Sequence, residues 1–413
     1  MDQRTATTPT SFTLNGTISQ VDVAAGERLS YSLRERLGHR DVKIGCNAGD
    51  CGACSILVDG APVCACLMPT QQAAGRSVET LSGLVKADSD AQALMESFQH
   101  HQAAQCGICT PGMMVSAVAL LRKTPQPDQT QVQDALGGVL CRCTGYRKII
   151  DAVVGAHTAD ELIEAPQDLG QHTRRLDGRP KVDGTEKFGD DVAPVDALVA
   201  RVIRSPHASA SFTLGDISQW QATLPGVAAV LTAQDVPGRN AFGVIPGFID
   251  QPVFAVSHVR FRGEAVACVV GDADAVNAID MSSFPIEWSV QPALSDIDEA
   301  LEPNAPQLFD DRPGNIMCGG FVQCGDADAA LKNADFTVEA VHKTSFVEHG
   351  YIEPEAGFAE VVQGRLHVHA CTQAPAMDRE ALAYILDLPP ADIRIVPTAV
   401  GGGIGSKIDL SLQ

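Results

Sequence analysis

Nine of the thirteen cysteines in this 413-residue chain lie before residue 144, in two sets whose spacing restricts how the N-terminal third can fold. The first set is Cys46, Cys51 and Cys54, within GCNAGDCGAC, with Cys64 and Cys66 following. The spacing C-x4-C-x2-C with a distant fourth cysteine is typical of a plant-type [2Fe–2S] cluster. Glycines between the cysteines allow the loop to curl tightly around the cluster. The fourth ligand is Cys64 or Cys66, which are both predicted on the returning strand.

The second set consists of two pairs, Cys106 and Cys109 in CGICTPG and Cys141 and Cys143 in CRCTGY. Each pair directly precedes a predicted helix, and helix N-termini stabilise negative charge, which suits a two-iron cluster with four thiolates. Zinc is the alternative for both sets. Zinc sites usually show paired C-x2-C units, which disfavours zinc at the first set, and the two sets together favour a second [2Fe–2S] cluster.

Residues 1–80 have the pattern of a small β-rich domain. Asn15-Gly16 and Asp59-Gly60 separate runs that alternate apolar and polar residues, which predicts two β-hairpins. The segment 29–37 has leucines at helical spacing, which predicts one helix.

Residues 81–160 have a helical pattern and are followed by a predicted linker at 161–180 that lacks periodicity. Leu94 and Phe98 share a helix face. Three further helices are predicted to start at Thr110 as N-cap, Asp128 and Thr144. Beyond residue 180, strand-like runs such as EAVACVVG and RLHVHAC alternate with helix-like runs such as DADAALKNA and AMDREALAYILD, which predicts a mixed α and β structure.

The net charge of -21 argues against nucleic acid or anionic lipid as a partner. No run of about 20 apolar residues predicts a membrane span, and the N-terminus lacks a secretory signal pattern. An odd cysteine count without an export signal indicates metal ligands in a reducing, cytoplasmic location. The remaining cysteines lack a ligand spacing and are predicted to be buried thiols: Cys268, Cys318, Cys324 and Cys371.

The three cysteine motifs GCNAGDCGAC, CGICTPG and LCRCTGY, in this order, resemble the iron–sulfur portion of the xanthine oxidase family of molybdenum hydroxylases over about residues 11–157. The resemblance implies a ferredoxin-like β-grasp domain followed by a four-helix domain. It implies that Cys66 is the fourth ligand of the first cluster, and that Gln105 and Cys143 contact the pterin of a molybdenum cofactor. Val139 stands where the family usually has Asn.

Five further segments resemble the first part of the family's molybdopterin subunit over about residues 175–413: GTEKFGDD, RSPHASA, EHGYIEPEAG, TQAP and GGGIGSK. This implies an α/β hammerhead-like domain at 181–303 and an incomplete molybdopterin-binding domain at 304–413, so that the fold class is multidomain α+β. It places Gln373 beside the molybdenum. Cofactor contacts are implied for the loop residues Gly402, Gly403, Ile404 and Gly405.

The resemblance implies a subunit that oxidises an aldehyde or N-heterocycle with oxygen from water. Electrons would pass from molybdenum through the second cluster and then the first to a flavin subunit or another acceptor. A partner subunit would complete the molybdopterin site, because the family's catalytic Glu lies beyond Gln413, and no general base is assigned. Ile408 stands where purine oxidases carry a substrate-binding Glu. The alternative is a non-catalytic electron-transfer adaptor.

Overall fold

The computed structural model describes residues 7–158, 169–170 and 173–410, which form two compact units. None of the helices described has both the length and the apolar character that a membrane span requires. Among these residues, the first unit combines those that fall within Met1–Val195, His349–Ala383 and Leu388–Leu412. The second unit combines Asp196–Glu348 and Tyr384–Asp387.

A five-stranded sheet opens the first unit. Its strands are β1 (Thr8–Leu14), β2 (Thr17–Val23), β3 (Ser55–Val58), β4 (Ala61–Cys64) and β5 (Ser77–Glu79), in the order β2-β1-β5-β3-β4. Only the β1–β5 pair is parallel. Both predicted hairpins are confirmed, because Asn15-Gly16 and Asp59-Gly60 have the positive φ angles of two-residue hairpin turns.

The predicted helix at 29–37 is confirmed as a short helix, α1 (Leu29–Tyr31), that continues as a π-helical turn, Ser32–Arg36. Leu29 and Leu33 are fully buried against the sheet residues Phe12 and Val23. This packing holds the cysteine loop between α1 and β3 on a rigid base.

Short helices follow the sheet and surround the apolar helix α4. They are α2 (Leu81–Ala87), α3 (Ser89–His100), α4 (Thr110–Leu121), α5 (Gln129–Leu136), α6 (Arg147–Val154) and α7 (Gly178–Asp183). Leu94 and Phe98 of α3 share a buried face, as predicted, and pack in one core with Met113 of α4 and Ile149 of α6. Asp128 forms the predicted cap of α5, as part of a capping box with Gln131.

Two helix starts were predicted incorrectly. Cys109, not Thr110, is the N-cap of α4, so the thiol lies directly at the helix start. Helix α6 begins at Arg147 instead of Thr144, because Gly145 and Tyr146 both have left-handed φ angles and form a turn.

The predicted linker 161–180 overlaps helix α7, whose residue Val182 packs in the same helical core as α3 and α4. The sequence of α7 is only six residues long and contains Pro180, so it has no detectable periodicity. Residues 161–168 and 171–172 of the predicted linker lie outside the described residues.

The second unit contains two three-stranded sheets, with strand orders β6-β10-β8 and β11-β7-β9. Its elements are β6 (Val199–Arg204), β7 (Ala210–Leu214), α8 (Ile217–Ala222), β8 (Val227–Thr232), β9 (His258–Val259), β10 (Ala265–Gly271), α9 (Ala273–Ala278), β11 (Ile286–Val290), α10 (Ile297–Ala300) and α11 (Ala327–Lys332). Cys268 is buried as predicted. The prediction is wrong for Cys318 and Cys324, which lie in a segment, 316–350, whose residues are all exposed.

The first unit is completed by a three-stranded sheet with the order β12-β13-β14. Its elements are β12 (Gly357–Val362), β13 (Arg365–Ala370), α12 (Pro375–Leu386) and β14 (Ile393–Pro397). Strands β12 and β13 form a hairpin, whereas β14 returns through α12 to pair parallel to β13. Cys371, at the end of β13, is buried as predicted.

Candidate functional site: two thiol sets and a glycine loop

The first cysteine loop directs backbone N–H groups at sulfur. The Cys46 sulfur accepts hydrogen bonds from the amides of Ala48, Asp50 and Cys51 at 3.2–3.3 Å, and the Cys46 amide donates to the Cys51 sulfur at 3.3 Å. Although burial opposes it, these donors lower the pKa of Cys46. The loop is therefore built to stabilise thiolate, which is the form that binds iron.

Cys54 and Cys66 form the buried side of the same loop, and their side chains hydrogen-bond each other. Burial raises the pKa of Cys54. Cys64 is half-buried, and its sulfur lies 3.9 Å from the Gly49 carbonyl oxygen. The prediction that both candidates lie on the returning strand is wrong, because β4 ends at Cys64 and Cys66 lies in the following turn.

The four cysteines of the second set converge. The sulfurs of Cys106 and Cys143 are 3.4 Å apart. Hydrogen bonds with the Cys109 and Cys143 thiols lower the pKa of Cys141 to about 2, while hydrogen bonding to Cys141 and burial raise the pKa of Cys109. Four thiols that hydrogen-bond one another in this way are within reach of a single metal centre.

The turn after Cys141 is held by its own side chains. The Tyr146 hydroxyl accepts from the Cys141 amide at 2.8 Å and donates to the Val139 carbonyl at 3.1 Å. The Thr144 hydroxyl lies 3.0 Å from the Cys141 sulfur. Val139, which stands where the family usually has Asn, is buried in the helical core. It contributes to the turn through its backbone carbonyl, so the turn does not depend on an Asn side chain.

The two cysteine loops contact each other directly. The Leu140 amide, one residue before Cys141, donates to the Cys51 carbonyl at 2.8 Å. The approach depends on glycine, because a Cβ atom at Gly52 would lie 2.1 Å from the Gly138 carbonyl oxygen. One hydrogen bond therefore joins the backbone of a first-set cysteine to the segment that carries the second set.

The segment Gly401–Lys407 passes beside the second thiol set. A Cβ atom at Gly401 would lie 3.0 Å from the Ile108 side chain, and one at Gly402 would lie 3.9 Å from the Cys143 sulfur. Ile404 has φ 55°, which is a strained conformation for a β-branched residue and is typical of functional loops. The loop therefore brings the backbone of Gly402 close to Cys143.

Gln373, in the segment between β13 and α12, is fixed against this glycine loop. Its Oε1 accepts from the amides of Gly405 at 3.0 Å and Lys407 at 3.3 Å, which leaves its amide nitrogen as a donor. A Cβ atom at Gly403 would lie 2.2 Å from the Gln373 Oε1. Gln105 is exposed next to Cys106.

Glu353 and Lys407 form a buried ion pair beneath the loop. The Lys407 ammonium lies 2.7 Å from the Glu353 Oε2 and 3.0 Å from its carbonyl oxygen. The carboxylate also accepts from the amides of Gly401 at 2.6 Å and Gly189 at 3.2 Å. These contacts give Glu353 a structural role beneath the loop, and the sequence did not reveal Lys407 as its partner.

Four family models match consecutive parts of the chain. They describe a 2Fe-2S iron-sulfur cluster binding domain at residues 12–82, a [2Fe-2S] binding domain at 80–154, the a/b hammerhead domain of aldehyde oxidase and xanthine dehydrogenase at 183–292, and a molybdopterin cofactor-binding domain at 308–413. The order agrees with the predicted fold class, and two matches to [2Fe–2S] domains argue against the zinc alternative.

The structure of the aldehyde oxidoreductase from Desulfovibrio gigas is similar, with a TM-score of 0.87 and 28% identity over 97% of this chain and 47% of that chain. Two proteins of Eubacterium barkeri are also similar. The nicotinate dehydrogenase small FeS subunit is 42% identical over 35% of this chain and 90% of its own length. The nicotinate dehydrogenase large molybdopterin subunit is 36% identical over 60% of this chain and 57% of its own length.

The chain belongs to the xanthine oxidase and aldehyde oxidoreductase family of molybdenum hydroxylases. It contains two [2Fe–2S]-binding domains and a molybdopterin cofactor-binding region. The chain spans about half the length of the curated relatives that it matches along most of its sequence. The donor sets fit these groups, since four thiols converge in the second set and backbone N–H groups surround sulfur in the first.

Proposed function

We propose that this chain is part of a molybdenum hydroxylase that oxidises an aldehyde or an N-heterocyclic compound with oxygen from water, in a reducing cytoplasmic location. The observation that carries the proposal is the continuous arrangement of the site. The glycine loop lies beside Cys143, and the second thiol set is joined to the first by the Leu140–Cys51 hydrogen bond. When bound, the molybdenum cofactor supplies two-electron oxidation and the clusters supply one-electron transfer.

The iron ligands that we propose follow from the two thiol sets. The first cluster takes Cys46, Cys51, Cys54 and Cys66, because Cys66 is buried against Cys54 whereas Cys64 is half-buried at the end of β4. The second cluster takes the four converging cysteines of the other set: Cys106, Cys109, Cys141 and Cys143. The Leu140–Cys51 hydrogen bond joins the backbones of the two ligand segments, which would favour electron transfer between clusters held there.

The cofactor contacts that we propose use fixed donors. Gly402, Gly403 and Ile404 present backbone N–H groups that suit an anionic or oxo ligand, and Gly405, whose amide donates to Gln373, completes the loop that contacts the cofactor. Gln373 has its oxygen held by the loop, so its amide nitrogen is oriented as a donor next to the loop. Gln105 and Cys143 add contacts on the side of the second thiol set. These few residues cannot enclose a ligand of that size, so we propose that further polypeptide covers the cofactor.

An exposed segment at residues 336–346, FTVEAVHKTSF, supports the proposal that a second polypeptide completes the molybdopterin site. Apolar and polar residues alternate in it, which is a strand pattern, yet it forms no strand with the described residues. Phe336, Val338 and Phe346 lie on one face of such a strand and are 92%, 94% and 98% exposed. An unpaired strand with an apolar face is a template for pairing with another chain.

The test is co-expression with a candidate partner that corresponds to the remainder of the large relatives. The complex is expected to contain molybdenum, oxidise substrate and pass electrons to a flavin subunit or another acceptor. The chain alone is expected to retain iron but little molybdenum. A complex that contains iron and no molybdenum would contradict the proposal and establish a non-catalytic electron-transfer adaptor.

A second arm tests the strand segment. Val338→Asp should prevent assembly with the partner, whereas Thr337→Asp, on the opposite face of the strand, should not. Iron content should be unchanged in both variants. Equal assembly of the two variants would refute pairing through the apolar face.

A further inference from the structure

The sheet of β12, β13 and β14 carries a group of metal-ligand side chains that belongs to neither thiol set. Glu360 lies on β12, and His367 and His369 lie on β13. One ligand atom from each residue lies within 4.8 Å of those of the other two. We propose that Glu360, His367 and His369 bind a divalent transition-metal ion such as Zn²⁺, a site separate from the proposed molybdenum and iron–sulfur chemistry.

The strand register places the three side chains together. Glu360 is the direct partner of His367 across the β12–β13 hairpin. His369 follows His367 by two residues, so both imidazoles project from the same face of the sheet. The His369 Nε2 and the Glu360 Oε1 are already 3.1 Å apart.

The distances suit a tetrahedral ion. Zinc binds nitrogen and carboxylate oxygen at about 2.0–2.1 Å, so adjacent ligand atoms in a tetrahedron are about 3.3 Å apart. The His369–Glu360 pair matches this separation before any metal binds. The third ligand atom, on His367, lies within 4.8 Å of the other two and would need to move by at most about 1.5 Å, which a small side-chain rotation supplies because His367 is only half-buried.

The surrounding side chains narrow the choice of ion. The Phe358 ring stacks on His369 with centroids 4.2 Å apart and an interplanar angle of 8°, which fixes the imidazole orientation. Arg394 on β14 is the strand-register partner of His367 on β13, and the positive charge of Arg394 opposes cation binding. The site should therefore favour ions that bind imidazole strongly, Zn²⁺, Ni²⁺ or Cu²⁺, over Mg²⁺ and Ca²⁺. Three protein ligands leave an open position for water or a further ligand.

Zn²⁺ binding to the full chain with its iron in place tests the proposal. Equilibrium dialysis against micromolar free Zn²⁺ should show one bound ion per chain without loss of iron. His367→Gln, His369→Gln and Glu360→Gln should each weaken binding at least about tenfold, since even groups that only orient metal ligands contribute 10–100-fold. His342→Gln, which changes an exposed histidine in the second unit, is the matched control and should bind as the wild type does.

Electron paramagnetic resonance of Cu²⁺ added to the oxidised protein gives a second readout. The wild type should show hyperfine coupling to two imidazole nitrogens, and His369→Gln should show one. Binding that is equal in the wild type and all three ligand variants would place the ion on cysteines and overturn the proposal. Absence of binding at micromolar Zn²⁺ would also overturn it, leaving only a surface ion pair between His369 and Glu360.

Discussion

Replacing Lys407 with methionine should destabilise the glycine loop by about 3–5 kcal/mol, the range found when one partner of a buried ion pair is removed. The Lys407 side chain is fully buried and Glu353 is 3% exposed, so water cannot replace the lost ammonium. The carboxylate keeps its bonds to the Gly401 and Gly189 amides, which places the expected loss near the lower end of that range.

The double variant Glu353→Gln/Lys407→Met separates charge from packing. Glutamine retains an acceptor for the two backbone amides and removes the uncompensated charge, so the double variant should recover most of the stability lost by Lys407→Met. Arg76→Met is the control, because Arg76 and Asp59 form an ion pair of the same 2.7 Å length at the surface, and such pairs contribute about 0–1 kcal/mol.

Hydrogen exchange of the loop amides is the appropriate assay, because a chain with two units need not unfold in one step. The amides of Gly401, Gly405 and Ser406 should exchange faster in Lys407→Met, and their protection should return in the double variant. A loss below about 1 kcal/mol, equal to that of Arg76→Met, would refute the claim that this ion pair holds the loop.

Three further outcomes are expected. Cys66→Ser should remove one of two [2Fe–2S] resonance signals of the reduced chain, whereas Cys64→Ser should retain both; the reverse result would reassign the ligand. Gly403→Ala should lower the molybdenum content of the assembled complex, because the new Cβ would meet the Gln373 oxygen at 2.2 Å, while iron content stays constant; unchanged molybdenum would show that the loop does not contact the cofactor. Burial raises the pKa of Asp378 from 3.8 to about 6, so its carboxyl favours folding while protonated and loses stability as the pH rises from about 4 through 6. Asp378→Asn should therefore stabilise the chain above pH 6 by up to about 3 kcal/mol in denaturant titrations, and an unchanged pH profile would contradict this.

The cysteine motifs and hairpins were predictable from sequence because their constraints are local. Asn15-Gly16 and Asp59-Gly60 specify turns through backbone conformation alone. The same applies to the capping box at Asp128. The start of α6 was not predictable from Thr144, because the left-handed conformation of Tyr146 depends on hydrogen bonds of its hydroxyl to Val139 and Cys141.

Contacts between distant segments were the part that sequence patterns did not reveal. The pairing of Glu353 with Lys407 joins residues 54 positions apart, and neither position has a distinctive spacing. The metal-ligand group on β12 and β13 was missed for a related reason. The spacing of His367 and His369 fits one strand face, but Glu360 joins them only through the hairpin register. Cys318 and Cys324 lie in the exposed segment 316–350, and their sequence surroundings do not indicate this exposure.

Iron and sulfide analysis of the purified chain, combined with resonance spectroscopy after reduction, tests the central claim most directly. Eight cysteines in two converging sets predict four irons, four labile sulfides and two distinct [2Fe–2S] spectra per chain. Zinc in place of iron, or a single cluster, would contradict the assignment of Cys46, Cys51, Cys54 and Cys66 to one centre and of the second cysteine set to another.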